Sequence, residues 1–98
     1  MQDQGARDRG NRSIVLDVRL HPHALDRLLE RGALAKEIVE TVIHGEQFPA
    51  KYGRTGFRRN FSYGALWRGR YYENKQIEAY AVWEDDGWLV ISLVTKFF

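Results

Sequence analysis

Residues 76–94 read QIEAYAVWEDDGWLVISLV, and this stretch decides the fold. Ile77, Ala79, Ala81 and Trp83 alternate with other residues at a period of two, which is typical of a strand with one buried face. The acidic turn that follows ends in Asp-Gly, and such residues favour a tight hairpin because they tolerate positive φ. Residues 88–94 are apolar on both faces and predict a central strand. The stretch therefore predicts an antiparallel hairpin at the centre of a sheet.

Two helices are predicted upstream of this hairpin. The first runs from about Pro22 to Glu30, because proline suits a first helical turn and leucines at 25, 28 and 29 have helical spacing. Gly32 can supply its left-handed C-terminal cap. The second runs from about Ala35 to His44 and carries an apolar stripe. The pair predicts a helical hairpin packed on an apolar surface.

The segments around the helices complete the predicted fold. Residues 14–20 alternate apolar and polar side chains and predict a first strand, whereas residues 45–56 hold four Gly or Pro residues and predict a loop. Residues 57–63 and 66–72 alternate again and predict two further strands. We therefore expect a single α+β domain over residues 14–98, with the order strand, two-helix hairpin, three- to four-stranded antiparallel meander.

Composition excludes several classes of protein. The chain has 98 residues, 44% of them hydrophobic and none of them cysteine, which allows one domain and excludes a disulfide scaffold or a thiolate zinc site. No apolar run reaches the roughly 18 residues of a membrane span, so we expect a soluble, cytoplasmic protein with no membrane partner. Residues 1–13 offer almost nothing that a core would bury and predict a disordered tail.

The formal net charge of +2 conceals a strongly basic segment, residues 51–75. It carries seven Lys and Arg residues against one acid, Glu73, and aromatic residues lie between them. This composition is typical of a surface that neutralises phosphates and stacks on bases. The alternative is a half-exposed sheet whose outer face is rich in arginine. The candidate nucleic-acid-binding residues of this segment are Lys51, Arg54, Arg58, Arg59, Arg68 and Arg70.

A second polar feature lies on the first predicted helix, where His23, Arg27 and Arg31 are spaced by four. We expect this stripe to lie opposite the leucines and to face away from the core. The two arginines repel each other and favour a bound phosphate, unless Glu30 relieves the repulsion and the stripe is merely solvated. His23 could exchange a proton with a ribose hydroxyl or a leaving oxygen, as RNA cleavage requires.

Neither a metal nor a cofactor is expected. His21 and His23 form a His-x-His pair, but no nearby carboxylate pattern completes a ligand set. Gly53 and Gly56 have neither the phosphate-loop nor the dinucleotide spacing. Any catalysis would therefore use only proton-transfer groups and cations of the chain itself.

Three short segments resemble a known family. Residues 23–32 (HALDRLLERG), 38–45 (IVETVIHG) and 90–97 (VISLVTKF) resemble the bacterial domain-of-unknown-function family 4258. That family is similar in element order to RelE-like toxins and to small metal-independent ribonucleases, so the resemblance implies a ribonuclease-like fold. The chain departs from the toxins at its end, where Phe97 and Phe98 stand in place of a catalytic tyrosine. The matching site residues are His23, Arg27, Arg31, Thr95 and Lys96.

Taken together, these features predict a protein that binds RNA. The leading enzyme hypothesis is a metal-independent, toxin-like endoribonuclease in which His23 acts as acid or base. The candidate cations that stabilise the phosphate charge are Arg27, Arg58, Arg59 and Lys96. Two alternatives remain open at this level. One is a non-catalytic RNA-binding module, and the other is a small interaction protein with an acidic, antitoxin-like protein partner.

Overall fold

The structure, a computed structural model, describes residues 17–98. They form a single α+β domain, as predicted, and neither helix in this range is long and apolar enough to cross a membrane. The predicted tail, residues 1–13, and the start of the predicted first strand, residues 14–16, lie outside the described residues. The elements in chain order are β1 (Asp17–Leu20), α1 (Pro22–Arg31), α2 (Ala35–His44), β2 (Glu46–Pro49), β3 (Thr55–Trp67), β4 (Arg70–Glu84) and β5 (Gly87–Phe97).

The five strands form one mixed sheet in the order β1-β5-β4-β3-β2. β1 runs parallel to β5, and every other neighbouring pair is antiparallel. The described residues of β1 pair with Gly87–Val90, the first residues of β5. Among the described residues, no strand lies beside the rest of that edge of β5. The chain turns there into α1 instead, with the backbone N–H of His21 donating to Val90 O at 2.9 Å.

The core lies between the two helices and one face of the sheet. On β4 the buried apolar residues on this face are Ile77, Ala79 and Ala81, as the alternation predicted, whereas Trp83 of the same alternation is 52% exposed. The two alanines leave room for the helices to approach the sheet closely, and Ile38 and Val42 of α2 are buried there. The other face of the sheet is covered by no helix of residues 17–98 and is partly exposed.

The predicted loop over residues 45–56 contains a short edge strand, so that prediction was too simple. β2 pairs with the start of β3, and the ring of Phe48 packs over Gly56, where a side chain would leave no room for it. The same ring meets Tyr80 edge to face. Pro49 is tolerated because β2 is the last strand of the sheet and needs no ladder donor on its outer side.

The predicted strand over residues 66–72 is wrong, because the chain reverses there. Trp67 pairs with Arg70, and the two residues between them, Arg68 and Gly69, have φ of 54° and 85°. Two consecutive positive φ values are typical of the tight hairpin turn that matches strand twist. β3 and β4 therefore form one long hairpin whose tip is Arg68 and Gly69.

The acidic hairpin between β4 and β5 is present, but its turn lies one residue earlier than the Asp-Gly signal suggests. Asp85 and Asp86 take the two positive φ values, 54° and 59°. Gly87 already belongs to β5, where a Cβ would lie 2.7 Å from the carbonyl oxygen of Asp17 on β1. Gly87 is therefore required for the close approach of β1, while aspartate tolerates the turn conformation.

Candidate functional site

α1 is fixed at both ends by local signals. His21 is the N-cap residue, and its Nδ1 accepts a hydrogen bond from the backbone N–H of His23 at 3.1 Å. Pro22 occupies the first turn, where its missing N–H costs nothing. Gly32 ends the helix with φ of 67°, as predicted, and its N–H bonds back to the last turn. The helix is thus held in place over β5.

The polar stripe of α1 lies beside the packed face and not opposite to it, because only one of the three leucines belongs to the buried face. Leu29 is 88% exposed and Leu25 is 50% exposed, whereas Ala24 is fully buried and Leu28 packs against the core. At 100° per residue, Arg31 falls next to Ala24 on the helix circumference. The stripe therefore runs along the edge of β5.

Between this stripe and β5 lies a cavity of about 360 Å³. Its floor is Ile91–Leu93, the part of β5 that β1 leaves unpaired. The cavity brings together His23, Arg27 and Arg31, three of the residues predicted from the sequence. Its full lining is His21, His23, Arg27, Arg31, Ile91, Ser92 and Leu93.

A second cavity, of about 300 Å³, continues past Arg31 toward the tip of the β3–β4 hairpin. Arg68 closes its far side, and the guanidinium of Arg68 donates to the main-chain oxygen of Glu30 at 2.9 Å. Arg31 lines both cavities. We call the two together the α1–β5 groove. The second cavity is lined by Glu30, Arg31, Trp67, Arg68, Thr95 and Phe97.

The groove is positively charged. Arg27, Arg31 and Arg68 line it, and among residues 17–98 the only carboxylate in its lining is Glu30, 3.4 Å from the guanidinium of Arg27. Two buried polar atoms of the second cavity, Arg31 Nε and Thr95 Oγ1, have no hydrogen-bond partner among residues 17–98. Arg19 Nε and Arg59 Nε, which do not line the groove, lack a partner among these residues in the same way, so the two atoms do not by themselves indicate a ligand.

Two imidazoles lie at the other end of the groove. The ring centres of His21 and His23 are 5.2 Å apart. Because Nδ1 of His21 accepts a hydrogen bond, its neutral ring carries the proton on Nε2. The sequence pattern indicated no role for His21 other than that of a candidate metal ligand. The neighbouring proline was the signal that this residue caps the helix and so shares the site with His23.

Trp67 and Phe97 form the aromatic end of the groove. Their rings stack with centres 4.9 Å apart and planes 16° from parallel. A Cβ on Gly32 would lie 2.7 Å from the Trp67 ring, so the glycine cap lets the tryptophan pack against the end of α1. The guanidinium of Arg68 lies 5.0 Å from the centre of the same ring. These contacts fix the position of the hairpin tip relative to α1.

The basic segment 51–75 does not form one surface. Arg58 lies on the face without helices, where its Nε donates to Glu78 at 3.2 Å and its guanidinium covers the Phe48 ring. Arg59 points to the opposite face, 5.5 Å from the centre of the Phe61 ring. Lys75 is 3% exposed and bonds to Glu37. The alternation of a strand sends neighbouring arginines to opposite faces.

Three further predicted residues also lie outside the groove. Lys51 and Arg54 flank the turn between β2 and β3, and the sheet order places β4 and β3 between them and β5. At about 4.8 Å per strand, that separates them from the groove by more than 10 Å. Arg70 lies at the start of β4, with its guanidinium 5.6 Å from the centre of the Tyr72 ring.

Lys96 lies on the face without helices, beside Gln76, and its Nζ is 3.9 Å from Glu78. It is therefore not brought together with His23 and Arg27. Glu78 also accepts a hydrogen bond from the hydroxyl of Tyr80 at 2.7 Å. This bond, aided by burial and by the negative charge of Glu78, raises the pKa of Tyr80. Glu78 is thus the shared partner of Arg58, Tyr80 and Lys96.

Within residues 17–98, no group of three or more His, Asp or Glu side chains is arranged to hold a metal ion. Comparison of the chain with known protein families, with curated proteins and with solved structures finds no match. The geometry of the α1–β5 groove is therefore the basis for a functional proposal.

Proposed function

We propose that the chain binds single-stranded RNA in the α1–β5 groove. The observation that carries this proposal is that the fold brings Arg68, from the basic segment, to the end of a helix that already presents Arg27 and Arg31. Phosphate contacts by Arg and Lys supply most of the affinity for nucleic acids. Three arginines against one carboxylate favour a chain with repeated negative charges over a single small anion.

The shape of the groove supports a single strand. From His23 to Arg31 the stripe covers about 12 Å of helix, at a rise of about 1.5 Å per residue. That length accommodates a few nucleotides of one backbone, and the walls of α1 and the hairpin tip restrict access from the sides. Single-stranded RNA can also present unstacked bases to the partly exposed Trp67 at one end.

A second candidate function is metal-independent cleavage of that RNA, favoured by the two imidazoles at the end of the groove. One imidazole would take the proton of a ribose 2′-hydroxyl as its oxygen bonds to phosphorus, and the other would protonate the departing 5′-oxygen as the bond to phosphorus breaks. Arg27 and Arg31 would stabilise the charge on the phosphate between them. The products would be a 2′,3′-cyclic phosphate and a free 5′-hydroxyl.

We also propose that the chain is related to RelE-like toxins and to family 4258, and that it is located in the cytoplasm. Two helices that precede a series of antiparallel strands support that resemblance. The sheet differs from a purely antiparallel meander in the parallel pairing of β1 with β5.

The proposal is tested by mapping where RNA binds. Amide chemical shifts are recorded by NMR while a heptanucleotide RNA of mixed sequence is added at low salt. We expect the largest changes at Arg31, Arg68 and Thr95, and none above the noise at Arg54. Changes centred on the β2–β3 turn, or no changes at all, would refute the proposal. A hairpin duplex of equal charge is the control and should bind more weakly.

A further inference from the structure

The outer edge of β5 is the remaining feature of the groove that RNA binding does not use. Asn74 and Phe98 exchange both of their backbone hydrogen bonds across the β4–β5 ladder. Antiparallel partners alternate between bonded and non-bonded pairs, so the next bonded residues of β5 in an unbroken register are Lys96, Val94 and Ser92. The residues between them must point their backbone N–H and C=O groups away from β4.

Those residues are Leu93, Thr95 and Phe97. Their backbone groups face the side of β5 that β1 would occupy if it were longer, and β1 ends opposite Val90. The two cavities of the groove lie along this edge, with Leu93 in one and Thr95 and Phe97 in the other. Within the described part of the chain this row of alternating donors and acceptors has no strand partner, and such a row is a template for another strand.

We propose that this edge pairs with an extended, acidic segment of a partner protein, which adds a strand to the sheet and closes the groove to RNA. The binding itself does not require the RNA proposal, but the competition with RNA rests on it. Leu93 to Phe97 spans four steps, or about 13 Å at 3.3 Å per residue, which suits a partner strand of five to seven residues.

The edge favours a peptide backbone over RNA. Its outward carbonyl groups need donors, and the N–H groups of a peptide strand supply them at the matching spacing. Phosphate oxygens are acceptors only, so in an RNA backbone the ribose 2′-hydroxyl groups alone can donate to those carbonyls, whereas every alternate residue of a peptide strand presents both an N–H and a C=O group to the edge.

The charge of the partner follows from the residues that flank the edge. Arg27 and Arg31 run parallel to it on α1, and Arg68 lies at its far end. Side chains of a bound strand alternate between the two faces, so every second residue would approach α1. Glu or Asp at those positions would pair with the arginines, and Lys would be repelled.

The test uses three synthetic seven-residue peptides with blocked ends, in which Val alternates with Glu, Gln or Lys. Binding to the full chain is measured by NMR, together with the hydrogen exchange of individual amides. We expect the amides of Leu93, Thr95 and Phe97 to exchange rapidly in the free protein and at least tenfold more slowly with the Glu peptide. The Gln peptide should bind more weakly and the Lys peptide should not bind.

Methylation of the peptide nitrogen atoms separates strand pairing from general attraction to arginines. Only every second amide of a bound strand faces β5, so methylation of one alternate set should weaken binding by at least tenfold. Methylation of the other set should be tolerated. Equal effects of the two sets would overturn the proposal, and so would protection of the three amides by an RNA heptanucleotide but not by the Glu peptide.

Competition distinguishes the two proposals. If the Glu peptide protects the three amides and displaces bound RNA, both are supported. If it protects them while RNA does not bind at all, the RNA proposal fails and the strand-pairing proposal stands. If RNA binds and the peptide gives no protection, the strand-pairing proposal fails alone.

Discussion

The guanidinium of Arg68 donates a hydrogen bond of 2.9 Å to the main-chain oxygen of Glu30, across 38 residues of sequence. This contact joins the tip of the β3–β4 hairpin to the last turn of α1. It brings a cation of the basic segment next to Arg31 and also occupies one of the free carbonyls at a helix C-terminus. It closes the second cavity of the α1–β5 groove.

Removal of this contact should weaken RNA binding. Arg68→Asn keeps a residue that tolerates positive φ and removes the charge. We expect a five- to tenfold loss of RNA affinity, measured by fluorescence anisotropy at low salt. Arg70→Asn removes a charge two residues away, outside the groove, and should change affinity less than twofold. Equal losses would mean that the position of Arg68 does not matter.

Lys75 should be important for stability rather than for binding. Its Nζ donates to Glu37 Oε1 at 2.7 Å and to Gly32 O at 2.9 Å, in a site that is almost fully buried. Lys75→Met keeps most of the volume but leaves Glu37 without its cation, so we expect a loss of about 2–4 kcal/mol in urea unfolding. The double variant Lys75→Met, Glu37→Gln should recover part of it. A loss below about 1 kcal/mol in the single variant would contradict this account.

The packing of Trp67 against the end of α1 can be tested at Gly32, with Gly53 as the control position. Both have positive φ, 67° and 71°, but a Cβ on Gly32 would meet the rings of Trp67 and Phe97, whereas nothing lies within 4 Å at Gly53. Gly53→Ala should cost about 1 kcal/mol, from backbone strain alone. Gly32→Ala should cost about 1–3 kcal/mol more, because the rings must move. Thermal unfolding measures both, and equal costs would show that Trp67 does not pack on the cap.

The histidine pair makes the cleavage hypothesis testable separately from binding. If the chain cleaves RNA, His23→Ala and His21→Ala should each lower the rate by at least about 100-fold while RNA affinity stays within threefold. His44→Ala, an exposed histidine on α2, is the control. The reaction should resist EDTA and leave 2′,3′-cyclic phosphate ends. Cleavage that survives both substitutions would exclude the pair as proton-transfer groups.

Tyr80 should titrate above its ordinary pKa, because its hydroxyl donates to the carboxylate of Glu78. A phenol whose pKa is raised by folding contributes stability that is present below the unfolded value, near 10, and is lost as the pH rises through the folded value. Ultraviolet titration should therefore show Glu78→Gln lowering the pKa of Tyr80. Tyr80→Phe should flatten the loss of stability above about pH 10. A titration that Glu78→Gln leaves unchanged would refute the assigned cause.

The local patterns predicted much of the fold. Alternation in β4 identified Ile77, Ala79 and Ala81 as buried, and the cap signal placed the end of α1 at Gly32. Long-range packing decided the rest. Leu29 has the spacing of a core residue but lies on the solvent side, because the helix approaches the sheet through Ala24. Small residues give no strong signal in a hydrophobic pattern.

The site was only partly predictable for a similar reason. The spacing of His23, Arg27 and Arg31 brought these residues together correctly, since one helix holds all three. Local charge density did not show that Arg58 pairs with Glu78, that Lys75 is buried with Glu37, or that Arg68 reaches Glu30. Those partners are 20 or more residues away, so only the folded chain separates the paired cations from those that line the groove.

The central claim, that the α1–β5 groove binds RNA through its arginines, is tested most directly by the salt dependence of affinity. We compare the wild-type chain with two triple variants: Arg27→Gln, Arg31→Gln, Arg68→Asn in the groove, and Lys36→Gln, Lys51→Gln, Arg54→Gln outside it. For single strands each phosphate contact contributes about 0.7 to the slope of log affinity against log salt. The groove variant should lower that slope by about 2 and the control by less than about 0.7. Equal slopes in the two variants, or a larger loss in the control, would contradict the account.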